Sequence, residues 1–299
     1  MMVKKIIKQL IPPLFLKLTS TYRNKARFYS TIHKHEKKGN TLFILGNGPS
    51  LKEQLENSCS IIASNPCVCV NTFVSSDFYS IIKPCIYVLA DPGLFDMPLA
   101  EHCRDRVEAM WKDLFDKTNW NMDLVVPSQF RNNERIRQMV KNNFISILFC
   151  NMLNCSFYLN KKSQFKLLNR NLLSTPAQTV LNMAVYLAIF WRYKDIILLG
   201  ADTSWHEDMK VDQKTNQVYI DDEHFHDSRK GLLMPIYDSR KGLIRPGKLH
   251  EGLQTVCIAL ESYWLLREYA DYNSVSIYNA STKSWIDAFE RKTLEELAK

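Results

Sequence analysis

Thr41-Leu-Phe-Ile-Leu-Gly46-Asn-Gly-Pro-Ser50-Leu51 is the stretch that decides the fold. A short apolar run ends in a glycine-containing turn, and the turn opens a helix-like stretch at 51–57. Strand, turn and helix in that order set backbone N–H groups and a helix N-terminus at the edge of a sheet, where an anion can sit. Outward from this unit, apolar runs of strand length recur at 61–63, 67–70, 86–90, 124–126, 145–149, 196–199 and 275–278. Several are separated by helical stretches, of which 179–193 and 251–270 are the clearest. Alternation of this kind predicts an α/β fold, a mostly parallel sheet with helices on both faces.

The composition fits a packed enzyme-sized body. Of 299 residues 46% are hydrophobic and 23% charged, which excludes a disordered chain, and 9 Gly with 11 Pro exclude a low-complexity polymer. The longest apolar stretches, 185–191 and 196–199, fall well short of the roughly 20 residues that a membrane span needs. A net charge of +8 invites a nucleic-acid reading until it is located. Residues 1–38 hold ten of the 39 basic residues and one of the 31 acids, Glu36, so the remaining 29 basic and 30 acidic residues leave 39–299 at −1. A near-neutral body argues against nucleic acid as a partner.

The basic segment has a pattern of its own: Ile6, Ile7, Leu10, Ile11, Leu14, Phe15 and Leu18 recur at helical spacing among Lys4, Lys5, Lys8 and Lys17, with Pro12 and Pro13 as a kink. It reads as an amphipathic tail on an anionic membrane surface, or else as a basic helix packed on its own domain. The expected division is a tail at 1–38 and one catalytic domain at 39–299 carrying a lid-like insertion at about 203–249. The eight cysteines lie mostly in or beside apolar runs, which predicts reduced, buried thiols and a cytoplasmic setting. Cys67-Val-Cys69 lacks the spacing of a zinc site, and neither a metal nor a cofactor is expected.

Gly46, Asn47, Gly48 and Ser50 are candidates for a nucleotide or phosphate, although the turn is neither G-x-G-x-x-G nor a P-loop and a plain tight turn is the alternative. Asp91 and Asp202 each follow a strand, on the edge where open α/β sheets bind ligands, or cap the segment that comes next. His206, His224, His226 and His250 stand in or beside the insertion, where a general base is expected, with His224, His226 and His250 as the candidates. The insertion repeats itself: Asp227-Ser-Arg-Lys-Gly-Leu232 returns as Asp238-Ser-Arg-Lys-Gly-Leu243. Its Arg-Lys pairs could close over a phosphorylated ligand or simply be solvated.

Gly46-Asn-Gly-Pro-Ser-Leu-Lys-Glu53 resembles the opening motif of the bacterial lipooligosaccharide sialyltransferases, and Cys69-Val-Asn71, the 193–202 segment ending Gly-Ala-Asp202, and Tyr278-Asn-Ala-Ser281 are similar to later segments of that family, in order. That resemblance implies a Rossmann-like fold and inverting, metal-independent transfer of a sialic acid-like sugar from a CMP donor to a surface-glycan or lipid-linked acceptor. It carries Asn71, Thr179, Asn279 and Ser281 into the donor site beside Gly46, Asn47, Gly48, Ser50, Asp91 and Asp202. It also implies His250, which precedes the long helix, as the base. Ala90-Asp-Pro92, 179–202, His224-Phe-His226 and Ile277-Tyr-Asn-Ala280 also resemble the motility-accessory-factor and hydroxymethylpterin diphosphokinase-like group, which brings in His224 and His226 as competing bases and ATP with Mg²⁺ as an alternative chemistry. Where the sialyltransferases present Asn this chain has Asp91, and where they present tyrosines it has Thr203 and Ser204, with Tyr219, Tyr237 or the lid arginines as possible substitutes. Association with the inner face of a cytoplasmic membrane is the expected location, and a noncatalytic membrane adaptor is the third reading.

Overall fold

Eight strands, all parallel, form one sheet: β1 Thr41–Leu45, β2 Cys67–Val70, β3 Ile86–Val88, β4 Met122–Pro127, β5 Ile145–Cys150, β6 Asp195–Leu199, and two strands near the C-terminus. The computed structural model describes residues 29–95, 101–154, 160–238 and 243–297, so the amphipathic pattern at 6–18 lies outside the described residues. Between β6 and the last strands come β7 Met209–Val211, β8 Val218–His224, β9 Asp227–Leu233, β10 Pro235–Asp238 and β11 Leu243–Pro246; β12 Ser276–Asn279 and β13 Glu290–Arg291 then complete the large sheet. Its order is β13-β12-β6-β1-β2-β3-β4-β5. The chain moves outward from β1 to β5, crosses back to β6 on the other side of β1, and continues outward again. That reversal makes a topological switch point between β1 and β6, the crevice where open sheets of this kind bind ligands. The expected Rossmann-like α/β architecture is thus observed.

The helices are α1 Leu51–Ala63, α2 Tyr79–Ile82, α3 Glu101–Lys117, α4 Glu134–Met139, α5 Lys161–Leu168, α6 Val180–Phe190, α7 Leu249–Tyr272 and α8 Leu294–Leu297. Successive side chains of a strand point to opposite faces. In β1, Leu42 and Ile44 enter the layer beneath α6 and α7, while Phe43 and Leu45 enter the layer with α1 and α3. Both faces are dry, which is why β1 reads as an unbroken apolar run and not an alternating one. Helix α6 is buried almost all round, from Leu181 to Ile189, between the sheet and α7.

Three sequence expectations need correction. The run at 61–63 is the last turn of α1 and not a strand; Ile62 is buried and Ile61 exposed, a helical alternation too short to be told from a strand by composition. The insertion at 203–249 is not irregular: β7-β8-β9 make an antiparallel sheet and β10-β11 a hairpin. These strands are held by their backbone ladder with polar side chains such as Asp221, Lys210 and Lys230, so no apolar period announces them. The body also begins before residue 39. Thr31 N–H donates to Phe149 O at 2.9 Å, the indole of Trp191 donates to Ile32 O at 2.7 Å, and buried His35 bonds Asp123 at 2.6 Å and the Tyr193 hydroxyl at 3.1 Å. Residues 31–35 therefore form a strap along the sheet, running from the carboxyl end of β5 to the amino end of β4.

Among the described cysteines, Cys67, Cys69 and Cys150 are buried as expected, and Cys257 is exposed. Burial pushes the Cys150 thiol up to about 12, which keeps it protonated and inert at neutral pH.

Candidate functional site

The loops that follow β1 and β6 touch each other at the switch point. Gly46 N–H donates to Leu199 O at 2.8 Å and Gly48 N–H to Gly200 O at 3.0 Å. A Cβ on Gly46 would stand 2.3 Å from Gly200 O, and one on Gly48 would stand 2.2 Å from the Asp202 carboxylate. The glycines of the turn are therefore required by the approach of a neighbouring loop. Asp202 then reaches across to α1: its Oδ2 accepts from Ser50 N–H at 3.0 Å and its Oδ1 from the Ser50 hydroxyl. A carboxylate at a helix N-terminus satisfies a free N–H and complements the helix dipole. Burial raises the Asp202 pKa, with the two Ser50 bonds opposing it. The helix end where a phosphate was expected is thus filled by a side chain of the protein, and Ser50 serves Asp202.

Above this contact opens a cleft of about 420 Å³. It collects Gly46, Asn47 and Gly48 after β1, Asn71 after β2, Asp91 after β3, Thr179 before α6 and Asp202 after β6, seven of the ten residues expected to bind a donor. Asn279 and Ser281 lie elsewhere. Both are buried behind the switch point, where Ser281 Oγ accepts from Ala201 N–H at 2.9 Å and Asn279 Nδ2 donates to Ser284 Oγ at 3.0 Å. They line a second cavity of about 400 Å³ with Gln54 and Arg291.

The cleft lining brings together amide acceptors and a helix N-terminus. Asn47 Nδ2 donates to Val70 O at 3.1 Å, which turns its Oδ1 toward a position where it is buried without a partner. Asn71, held in the left-handed region at φ 44°, likewise has a buried Oδ1 without a partner. Such atoms suit N–H or O–H donors on a base or a ribose. Thr179 caps α6 in a capping box with Asn182, and the first turn of that helix, at Val180 and Leu181, lines the cleft. These first N–H groups lie at the cleft, whereas the N-terminus of α1 is occupied by Asp202. Thr203, Ser204 and Trp205 also line the cleft. Trp205 carries no sequence motif; the resemblance implies tyrosine hydroxyls after Gly-Ala-Asp202.

The described lining residues include Asp91, Asp202, Asp208 and Asp221 and no lysine or arginine. Of the duplicated segment, Arg229 and Lys230 stand on β9, whereas Arg240 and Lys241 lie outside the described residues. Asp91 caps the turn at Pro92–Leu94 by accepting from Gly93 N–H at 2.8 Å. Among the described residues no group of three or more His, Cys, Asp and Glu converges as a metal site.

The three histidines part company. The tip of the β8–β9 hairpin bends onto the glycine turn: Phe225 N–H donates to Asn47 O at 3.1 Å, and the Phe225 ring packs at 5.3 Å from Phe73. Arg106 of α3 braces the same tip through Asp227 at 3.5 Å. This places His224 in the cleft wall. His226, on the other side of Phe225, is outside the lining, and burial first, then His224, lowers its pKa to about 4. His250 is exposed in the first turn of α7 and does not line the cleft.

His226 gives the docked tip an acid limit. It is neutral in the folded state down to about pH 4 but protonates near 6.5 when released, so its contribution is complete above about 6.5 and is lost as pH falls toward 4. In His226→Gln, which carries no titrating group there, the Tm is expected to fall less than that of the parent between pH 6.5 and 4.5; parallel pH profiles would remove His226 from the account.

A family model for 6-hydroxymethylpterin diphosphokinase MptE-like proteins matches residues 15–208. The chain belongs to this MptE-like family. The match takes in the cleft walls built by β1 to β6 and ends at Asp208, so Ile220, Asp221 and His224 reach the MptE-like cleft from the segment that follows it. Comparison with curated proteins gives no match. Among solved structures the chain is similar to the MAf glycosyltransferase from Magnetospirillum magneticum AMB-1, with 12% identity and a TM-score of 0.44 over 86% of this chain and 34% of that one. The chain thus spans about a third of that protein's length.

Proposed function

We propose that this chain is a glycosyltransferase that binds a nucleotide-activated sugar in the switch-point cleft. The observation that carries the reading is the lining itself: buried acceptor atoms on Asn47 and Asn71, an indole at Trp205, the N-terminus of α6 and a histidine, His224, share one cavity. The two amide oxygens suit an exocyclic amine such as that of cytosine or the hydroxyls of a ribose. Trp205 offers a face for stacking. The first turn of α6, with the Thr203 and Ser204 hydroxyls, receives a phosphate. His224 takes the proton from the acceptor hydroxyl as that oxygen attacks the anomeric carbon on the face opposite the leaving phosphate, which inverts the configuration. The donor in this proposal is a CMP-linked, sialic acid-like sugar, in keeping with the resemblance of the glycine turn, and the acceptor is a glycan or glycolipid.

The second reading is a diphosphokinase, the activity in the family's name, with ATP and Mg²⁺ as the reactants we assign to it. The aspartates of the cleft favour it, since Mg²⁺ is bound through one or two carboxylates together with the substrate's phosphates. Asp91 would hold the ion, which would neutralise charge on the transferred diphosphoryl group.

Titration of the full chain with CMP, CMP-sialic acid, UDP- and GDP-sugars and ATP, with and without Mg²⁺, separates the two. The glycosyltransferase reading expects CMP and its sugar to bind without Mg²⁺; binding of ATP alone, and only with Mg²⁺, transfers the site to the diphosphokinase. Binding of no nucleotide would leave neither.

The basic tail belongs to the same proposal as a membrane anchor. Seven basic residues and no acid lie in 1–28, ahead of the strap, so the truncation that spares the body removes 1–28 and not 1–38. The truncated protein is expected to keep its Tm and to lose co-sedimentation with anionic vesicles at low salt; equal co-sedimentation of both proteins would rule out this role. Among the described residues no helix is long and apolar enough to cross a membrane.

A further inference from the structure

Trp285, in the loop after β12, leaves nearly half of its surface in water, with a relative exposure of 47%. Its position is nonetheless fixed. Its main-chain N–H donates to Asp202 O at 2.8 Å, its ring meets that of His206 edge to face at 4.6 Å, and the Glu207 carboxylate lies beside it. Glu207 is held in turn by Lys283 at 2.7 Å. An indole held in place but left half in water offers an aromatic face to a partner.

The turn that holds Trp285 is also the wall of the cleft. Trp205 and Asp208 line the cavity, while His206, between them in sequence, packs on Trp285, and Glu207 lies beside it. We propose that Trp285 is the platform for a pyranose ring of the acceptor glycan, a subsite one turn of chain away from the donor cleft. This rests on the glycosyl-transfer reading for the word acceptor, and on Trp285 alone for the sugar.

The chemistry of the surroundings selects a sugar over the alternatives. One face of a pyranose carries axial C–H groups that pack on an aromatic face, while its equatorial hydroxyls project from the rim. At the rim of Trp285 the Glu207 carboxylate accepts from hydroxyls and the Lys283 ammonium donates to them. A bilayer would require several apolar side chains flanked by unpaired basic ones. Here Lys283 is paired with Glu207, and Asp287, two residues on, accepts from the Trp264 indole at 3.1 Å, so the patch carries no cationic excess for anionic lipid.

The test labels the full chain with 5-fluorotryptophan and follows the ¹⁹F resonances, that of Trp285 being the one absent in Trp285→Phe. Methyl glucoside, methyl galactoside, methyl N-acetylglucosaminide and anionic vesicles are the probes. At least one pyranoside is expected to move the Trp285 resonance saturably, with vesicles leaving it in place. By calorimetry, affinity for that pyranoside is expected to fall about tenfold or more in Trp285→Ala and only a few-fold in Trp285→Phe, which keeps an aromatic face. A Trp285 resonance that no pyranoside moves, or that only vesicles move, overturns the proposal; so does undiminished pyranoside affinity in Trp285→Ala. Saturable pyranoside binding with no nucleotide binding would keep the sugar platform and remove the transferase reading.

Discussion

His224→Ala is expected to lower turnover at saturating donor by about a hundred- to ten-thousand-fold, the range that general-base catalysis supplies. Of the three candidate bases, only His224 lines the cleft. His250 is exposed and outside it, although chain order had marked it as the base. His226 is a weak base, because burial holds its pKa near 4, more than two units below an ordinary imidazole. His250→Ala and His226→Ala are accordingly expected to retain turnover within a few-fold at neutral pH, and donor affinity is expected to survive in all three. Full turnover in His224→Ala alongside a collapse in His250→Ala would return the assignment to the helix start.

Gly46→Ala is expected to destabilise the fold by about 3 kcal/mol or more, at the upper end of what overpacking costs. The new methyl would lie 2.3 Å from Gly200 O and 2.9 Å from its carbonyl carbon, both backbone atoms of the paired loop. Gly200 cannot withdraw freely, since it adopts φ +60° with Leu51 pressed close behind it, and its N–H donates to Gln54 Oε1. Relief requires parting β1 from β6, which opens the switch point itself. Thermal melts should show a Tm lower by about 6 °C or more for a domain of this size, and the variant should lose nucleotide binding even below its Tm. A Gly46→Ala protein with parental Tm and affinity would mean that the two loops do not pack as described.

Those two variants mark the limits of what the sequence makes legible. The sheet was readable because strands dry on both faces must be apolar throughout, as in Leu42 to Leu45, and because a turn as tight as Gly46-Asn-Gly needs glycine. Chain order also pointed to Asp91 and Asp202, since each follows a strand at one edge, whereas Asn71 and Thr179 came from the family resemblance. What escaped depends on contacts between distant residues. Asp202 meets Ser50 across 152 positions, and that meeting fills the N-terminus of α1 where the sequence suggested an anion. Phe225 finds Asn47 across the insertion, and that contact brings His224 into the cleft and leaves His250 out. The strands of the insertion carry too few apolar side chains to show a period, so their order had no signal in composition. Trp205 and Trp285 follow no motif; the one lines the cleft and the other packs on His206 of the same turn.

The strap of residues 31–35 carries a consequence for how such a protein would search for its acceptor. Ser30 bonds Asn171, and the Tyr29 ring packs on Phe149 near the carboxyl end of β5, so the chain ahead of the strap departs from the same edge of the sheet at which the cleft opens. An anchor attached at that edge would point the cleft toward the bilayer. Encounters with a lipid-borne acceptor would then proceed by lateral diffusion in a plane, with the effective concentration set by how far residue 29 stands from the cleft mouth and no longer by the concentration of free acceptor in the surrounding volume.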